Sequence, residues 1–408
     1  MHDIKQSLLT MFVLILSFSV DAATYYVSPN GSNNPPYDTW ENAATNIAAA
    51  VGMADNGDVI TVSNGIYVLT DRIHISHQIT LQSVNGPAVT VIDGNNSNAC
   101  IYMENRYSGP PLIDGFTITR GNGVIDGMGG YGGGVNMIYS EGTIRNCIVT
   151  SNCTDNKGGG IFCYQGGNIE NCLITGNQAV QGGGLYITDV ANARNCLFLN
   201  NSASNEGGAA YTIWGTIDNC TILYNSAADG GGLYSTGTFV RNTIIWSNTA
   251  VIGPNYSAYG THGGYEFCCT DPLITGPGNI TNAPVLADLP PVIYQLTASS
   301  PCIDAGSNLD WMATASDFDG QPRVFNGIPD IGADEATIES LSISVTDSCS
   351  SEWNCVVGAT CQLDRASTIT ASTWNAVSGI VTAQSPNLSF LTTNTGDHAA
   401  FFRLRWIR

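Results

Sequence analysis

The residues best placed to do chemistry lie beside a run of glycines. Lys157 precedes Gly158 to Gly160 and stands two residues after Asp155. Apart from Lys5 it is the only lysine in the chain. A lysine base could take the proton alpha to a uronate carboxylate, the first event of polysaccharide elimination, provided a cation stabilises the charge that forms. Gln181, Glu206 and Asp229 hold matching positions farther along and form a polar column that could hold substrate or a calcium ion. The plainer expectation is a solvated turn on which Lys157 pairs with Asp155 or Glu206. Asp126, Asp155, Asp189 and Asp229 supply carboxylates for glycoside hydrolysis, although any repeat produces such sets. His74, His77, His262 and His398 are isolated, and no histidine gives the cysteines zinc-ligand spacing, so no metal centre is expected.

A second candidate is a row of rings. Phe162, Tyr186, Tyr211 and Tyr234 follow successive glycine clusters. If Ile161, Leu185, Ala210 and Leu233 point inward, the rings face outward and suit pyranose faces or an apolar partner. With the opposite parity they form an internal stack. Both parities remain open at this level.

These residues share one beat. Asn-Cys recurs at Asn146-Cys147, Asn171-Cys172, Asn195-Cys196 and Asn219-Cys220, and Asn242-Thr243 is a fifth, degenerate copy. A period of about 24 residues marks a solenoid whose coils bury their apolar sides by stacking. Side chains alternate along a strand, yet inward positions change parity at each asparagine. The chain must therefore bend there, as an αL asparagine allows. Stacked asparagines at this corner could hydrogen-bond along the axis. Asn152, Asn177, Asn201, Asn225 and Asn248 mark the next corner, and a glycine-led strand closes a three-sided coil. The fold expected is all-β, a right-handed parallel β-helix.

The residue before each corner asparagine reads Asp114, Arg145, Glu170, Arg194, Asp218, Arg241, with Glu266 as an extension. Stacked coils would place each charge between opposite charges, fixing register more than stability. Cys147, Cys172, Cys196 and Cys220 read as a buried column of free thiols, and Cys349, Cys355 and Cys361 allow a local disulfide. The remaining basic residues, Arg72, Arg106, Arg120, Lys157, Arg323 and Arg365, are scattered, so the repeat alone assembles no basic groove.

Residues 1–22 read as a secretory signal, with Lys5 ahead of an apolar run and Val20-Asp21-Ala22 at its end. No transmembrane span is expected in the mature chain. The β-helix is expected over 23–270, with a lid helix over 40–54, then a turn-rich cap over 271–336 and a small β-sandwich over 337–408. A net charge of −20 excludes nucleic acid as a partner.

Tyr26-Val27-Ser28-Pro29-Asn30-Gly31-Ser32, Gly57-Asp58-Val59-Ile60 and Gly65-Ile66-Tyr67 resemble the start of secreted pectin-lyase-like β-helix proteins, chondroitinase B-like lyases included. The Gly-Gly-Gly and asparagine repeats resemble those of polymorphic outer-membrane proteins, and Pro301 to Glu335 is similar to the terminal segment of choice-of-anchor Q proteins. The resemblance implies export and a scaffold that hosts lyases, hydrolases and adhesins alike. A base lysine with an arginine partner, which the lyase resemblance implies, is not matched at Lys157. The reading is an extracytoplasmic, secreted or cell-surface β-helix whose partner is a polysaccharide or cell-surface glycan. A polysaccharide lyase is the alternative and a purely structural surface protein a third. No cofactor is assigned beyond the calcium named above.

Overall fold

A computed structural model describes residues 22–105, 108–123, 131–260, 263–289, 292–324 and 327–336, and then seven backbone strands between 341 and 406. The expected leader lies outside the described residues but for its last position, as do Asp126, His262, His398 and Cys355. Each regular coil gives one strand to each of three parallel sheets. The first sheet has ten strands, from Thr24–Val27 to Gly264–Glu266. The second has nine, from Gly65–Val68 to Cys269–Thr270, and the third eight, from Ile73–Ile75 to Tyr256–Tyr259. The result is a parallel β-solenoid of the right-handed type, the hand that parallel crossovers take in nearly all proteins. A short fourth strip, Asn122–Gly123, Cys153–Thr154, Gln178–Gln181 and Ser202–Glu206, widens one corner of four coils.

The two corners are built differently. Asn146, Asn171, Asn195, Asn219 and Asn242 all have φ near +50°, the αL turn that the parity change demands. Their amides do not form the axial ladder expected of them, except where Asn242 donates to Asn219 at 3.3 Å. That ladder belongs to the second corner, where an αL residue precedes each asparagine and turns its amide inward. Asn152, Asn177, Asn201, Asn225, Asn248 and Asn255 run through the wall, each Nδ2 donating to the next Oδ1 at 2.9–3.1 Å. Each Oδ1 also accepts the preceding asparagine's backbone N–H, so these buried amides leave no donor idle.

Inside, equivalent side chains stack. Ile144, Ile169, Ala193, Ile217 and Val240 form one column and Val149, Ile174, Phe198, Ile222 and Ile245 another, all without solvent exposure. The coil that carries Phe198 has Ala193 and Ala210 where the preceding coil has Ile169 and Leu185, which keeps the filled volume nearly constant. The cysteine column is buried and its thiols are free. Each thiol donates to the carbonyl two residues back, as Cys172 does to Glu170 at 3.2 Å, and the Thr243 hydroxyl does the same to Arg241 at 2.9 Å. That shared bond accounts for threonine in the fifth copy.

The expected helix over 40–54 is corrected to Ile47–Val51. Ala44 is taken instead by strand-like pairing with Tyr26 and Ser28. Asn46 then caps the helix by accepting from the Ala49 N–H at 2.8 Å. Ile47, Ala50 and Val51 are buried, and the helix packs on Thr24–Val27, Val59–Val62 and Ile73–Ile75.

Beyond Asp271 the chain folds back along the flank. Leu296, Cys302, Ile331, Ala333 and Ala336 pack on Leu197, Leu199, Leu223 and Ile244, the outward residues of the second sheet. Earlier coils mix Thr117, Thr119 and Thr150 with Ile66, Val68 and Ile148 on that face, and the apolar cover lies over the later coils. The segment expected to cap the end of the solenoid thus lies mainly along its side. Farther on, Leu341–Val345, Cys349–Asn354 and Asn387–Thr392 form one antiparallel sheet. Thr360–Ala366 pairs antiparallel with Asn375–Ala376, Val381–Thr382 and Phe401–Trp406 in another.

Candidate functional site

The alternating charges occupy one row. Asp114, Arg145, Glu170, Arg194, Asp218, Arg241 and Glu266 are successive partners in the first sheet. The row is not uniformly paired. Arg145 binds Asp114 at 2.5 Å, and Arg241 makes two 2.8 Å bonds to Asp218. Arg194 approaches Asp218 only to 3.9 Å, and its Nε, buried, has no acceptor. Glu170 and Asn171 hold the middle of the row. Burial pushes the Asp218 carboxyl up, while Arg241 and Arg194 hold it down; the first effect prevails.

What converts this row into a site is the flanking segment. Trp311, in the short 3-10 helix Asp310–Thr314, lays its ring over the Arg194 guanidinium at 5.2 Å. The Ser316 carbonyl accepts from Asn195 Nδ2 at 2.6 Å, and the Ser307 carbonyl from Asn242 Nδ2 at 2.8 Å. Asn195, Asn219 and Asn242 therefore each give their amide to a carbonyl of the segment, and only Asn242 also reaches its neighbour Asn219. Between ladder and segment lies a groove of about 470 Å³, lined by Arg145, Glu170, Asn171, Arg194 and Trp311 among others. Its two guanidinium groups stand two coils apart, about 10 Å, with one carboxylate between them. A volume of this size with an indole wall and convergent polar groups suits one or two sugar rings. The repeat alone was expected to assemble no basic groove; here both guanidinium groups come from the repeat, and the flanking segment adds the opposite wall of Trp311, Ala315, Ser316 and Gly320.

The aromatic row points outward, away from the core formed by Ile161, Leu185, Ala210 and Leu233. Its rings, however, lie face to face. Tyr131, Phe162, Tyr186, Tyr211 and Tyr234 stack with centroids 4.4–5.5 Å apart and interplanar angles of 5–22°. Tyr259 continues the row at 5.1 Å. Neighbouring rings thus cover each other's faces, and what meets solvent is edges and hydroxyls. Phe162 and Tyr186 are only 4% and 3% exposed. Burial pushes the Tyr186 hydroxyl up to about 12, with Tyr131 and Glu206 adding to the shift, so it remains a proton donor.

Beside this row runs the polar column Lys157, Gln181, Glu206 and Asp229, aligned by parallel bridges. Gln181 Nε2 donates to Glu206 at 2.9 Å, and the Tyr259 hydroxyl donates to Asp229 at 3.3 Å. Lys157 takes neither Asp155 nor Glu206; its Nζ sits 4.8 Å from the centroid of Tyr186. Asp155 is exposed, and Lys157 and Asp155 form no pair. Sequence reasoning found the charge row, the ring row and the column. It missed Trp311, which no periodicity marks. The one available signal was the set of charged residues in an otherwise apolar, turn-rich stretch at Asp317, Arg323, Asp330 and Glu335.

The model of the Chlamydia polymorphic membrane protein repeat matches residues 195–213, a single coil from the corner Asn195 to the end of the third-sheet strand. No curated protein matches the chain. Among solved structures, the crystal structure of pectate lyase Pel9A is similar over 77% of this chain and 96% of its own, at 15% identity and a TM-score of 0.42. The deglycosylated pectin methylesterase from Aspergillus niger is similar over 60% and 85%, at 11% identity and a TM-score of 0.34.

Proposed function

We propose that this protein is an exported β-helix held at a cell surface, where it binds a carboxylated glycan in the groove between the charge row and the flanking segment. The observation that carries this reading is Arg194. Its guanidinium lies under Trp311 and is held by no close ion pair, reaching Asp218 only at 3.9 Å, in a groove that also holds Arg145. A sugar carboxylate would meet the guanidinium forks, while hydroxyls would meet Glu170 and the Asn171 amide. The long-range repulsion expected from a charge of −20 is screened within about 8 Å at physiological salt. The repeat match to a family of membrane proteins supports a surface location, and the residue pattern of 1–22 supports export. The helix Ile47–Val51 is read as a lid on the first coil, and the antiparallel strands beyond 341 as a separate β-sandwich.

Calorimetric titration with oligouronates and with neutral oligosaccharides of equal length tests the proposal. Arg194→Ala and Trp311→Ala should each weaken oligouronate binding about 10- to 100-fold, with Lys157→Ala unchanged. Equal binding of neutral and acidic sugars, unaffected by either groove substitution, would sink it. A lyase remains the second reading, favoured by the Lys157 position alone; unsaturated product made by the native chain and lost in Lys157→Ala would establish it.

A further inference from the structure

The flanking segment holds a group of acids that the groove does not use. Asp317, Asp319 and Asp334 bring one carboxylate oxygen each within 4.8 Å of one another. Asp317 is fully buried and Asp334 is 5% exposed. Both oxygens of Asp334 lack a hydrogen-bond partner. A second side chain is drawn into the same spot. Gln321, 7% exposed, donates its backbone N–H to Asp317 at 2.7 Å and its Nε2 to Asp319 at 3.0 Å. That leaves its buried Oε1 without a donor, while the amide nitrogen is the end that meets Asp319. Buried carboxylates without partners are costly to keep. Arg323 is the nearby cation, and it is committed to Glu335 at 2.5 Å and to the carbonyls of Asp330 and Gly332, both at 3.1 Å.

From this geometry we infer that Asp317, Asp319 and Asp334, with the Gln321 side-chain oxygen, form a calcium site that fastens the flanking segment. All the donors are oxygens, which selects a hard cation over zinc or copper. Calcium bonds of about 2.3–2.6 Å let two ligands on one ion stand up to about 5 Å apart, which matches the spread here, whereas magnesium demands a tighter octahedron. Turning the Gln321 amide about its last bond exchanges Oε1 and Nε2 and presents the oxygen to the ion, an assignment that coordinates alone leave interchangeable. Water completes the shell.

The site would act on the whole flank. The Glu335 N–H donates to Asp317, and the Phe318 N–H to the Ala333 carbonyl, so the cation joins both arms of the segment. Those arms carry Ser316, which holds Asn195, and Ala333, which donates to Thr221. Without the ion, burial, and then Asp319, push the Asp317 carboxyl up to about 8. Calcium would therefore displace protons and bind more weakly as pH falls.

The test uses the full chain, freed of metal with a chelator and melted alone, with calcium or with magnesium, beside calorimetric titration of each ion. Calcium should raise the unfolding midpoint by several degrees at one ion per chain. Asp334→Asn, and Asp319→Asn as a variant at an exposed position that spares the buried packing, should each weaken calcium about tenfold or more. In chelator Asp334→Asn should melt no lower than the native chain, because the substitution removes a buried carboxyl that no hydrogen bond satisfies. The inference is overturned if calcium leaves the midpoint unchanged, if magnesium shifts it equally, or if both variants keep the native calcium response. None of these outcomes depends on glycan binding.

Discussion

The regular coils and the flanking segment both bury polar side chains, but they satisfy them by opposite means. At the second corner of the coils each buried asparagine meets a copy of itself one turn away, so a single solution repeats and each amide is both donor and acceptor. The segment has no copies. Arg323, Asp317, Asp330 and Glu335 must each find an individual partner, and the fit is incomplete. Among the described residues ten buried side-chain polar atoms lack a hydrogen bond; five belong to the segment's Trp311, Gln321, Arg323 and Asp334, and a sixth is the Nε of Arg194, the coil residue under Trp311. Periodicity yields a satisfied wall, whereas the aperiodic strip laid against it leaves donors and acceptors over. Unmet valences of that kind are where a ligand or an ion gains most.

If copies really buffer a loss, breaking the two regions should cost unequal amounts. Arg323→Met removes the fully buried partner of Glu335 and the donor to two carbonyls. It should destabilise by about 3–5 kcal/mol in denaturant unfolding and expose residues 300–336 to protease before the coils. Asn201→Ala interrupts the amide ladder but leaves Asn177 and Asn225 their bonds to Val149 and Phe198, so about 1–3 kcal/mol is expected. Equal losses would mean that the ladder is as unforgiving as the segment. The pH response sharpens the contrast further. The Asp317 carboxyl is raised from 3.8 to about 8, chiefly by burial, and Asp334 is raised by burial too. Between about pH 4 and 8 the folded metal-free chain therefore holds more protons than the unfolded one. Its stability should fall as pH rises, by up to about 1.4 kcal/mol per pH unit for each proton concerned. Thermal melts of chelated protein across that range check the sign, and in the coils the buried amides do not titrate, while Asp218, raised by burial, adds to the slope with the same sign.

Much of the candidate chemistry was visible as spacing. The alternation from Asp114 to Glu266 and the row from Phe162 to Tyr234 both follow from counting, because strands one period apart must pair in register. Counting does not tell what a row is for. The rings stand outward, as one of the two parities required, yet their faces are spent on each other at about the coil spacing, so the row is a poorer sugar platform than its composition suggests. Lys157 likewise lies in its expected column while its ammonium turns to the Tyr186 ring.

The sequence alone was enough for the solenoid, its corners, its thiol column and its charge row, since all of these are local patterns multiplied by a fixed repeat. Only the tertiary structure could decide that residues 300–336 turn back along the second sheet, set Trp311 on Arg194 and gather three aspartates near Gln321. The contacts to the coils join positions more than a hundred residues apart, as Trp311 and Arg194 or Arg323 and Asn195 do. No period connects them, and what selects them is the apolar surface that Leu197, Leu199, Leu223 and Ile244 leave to be covered.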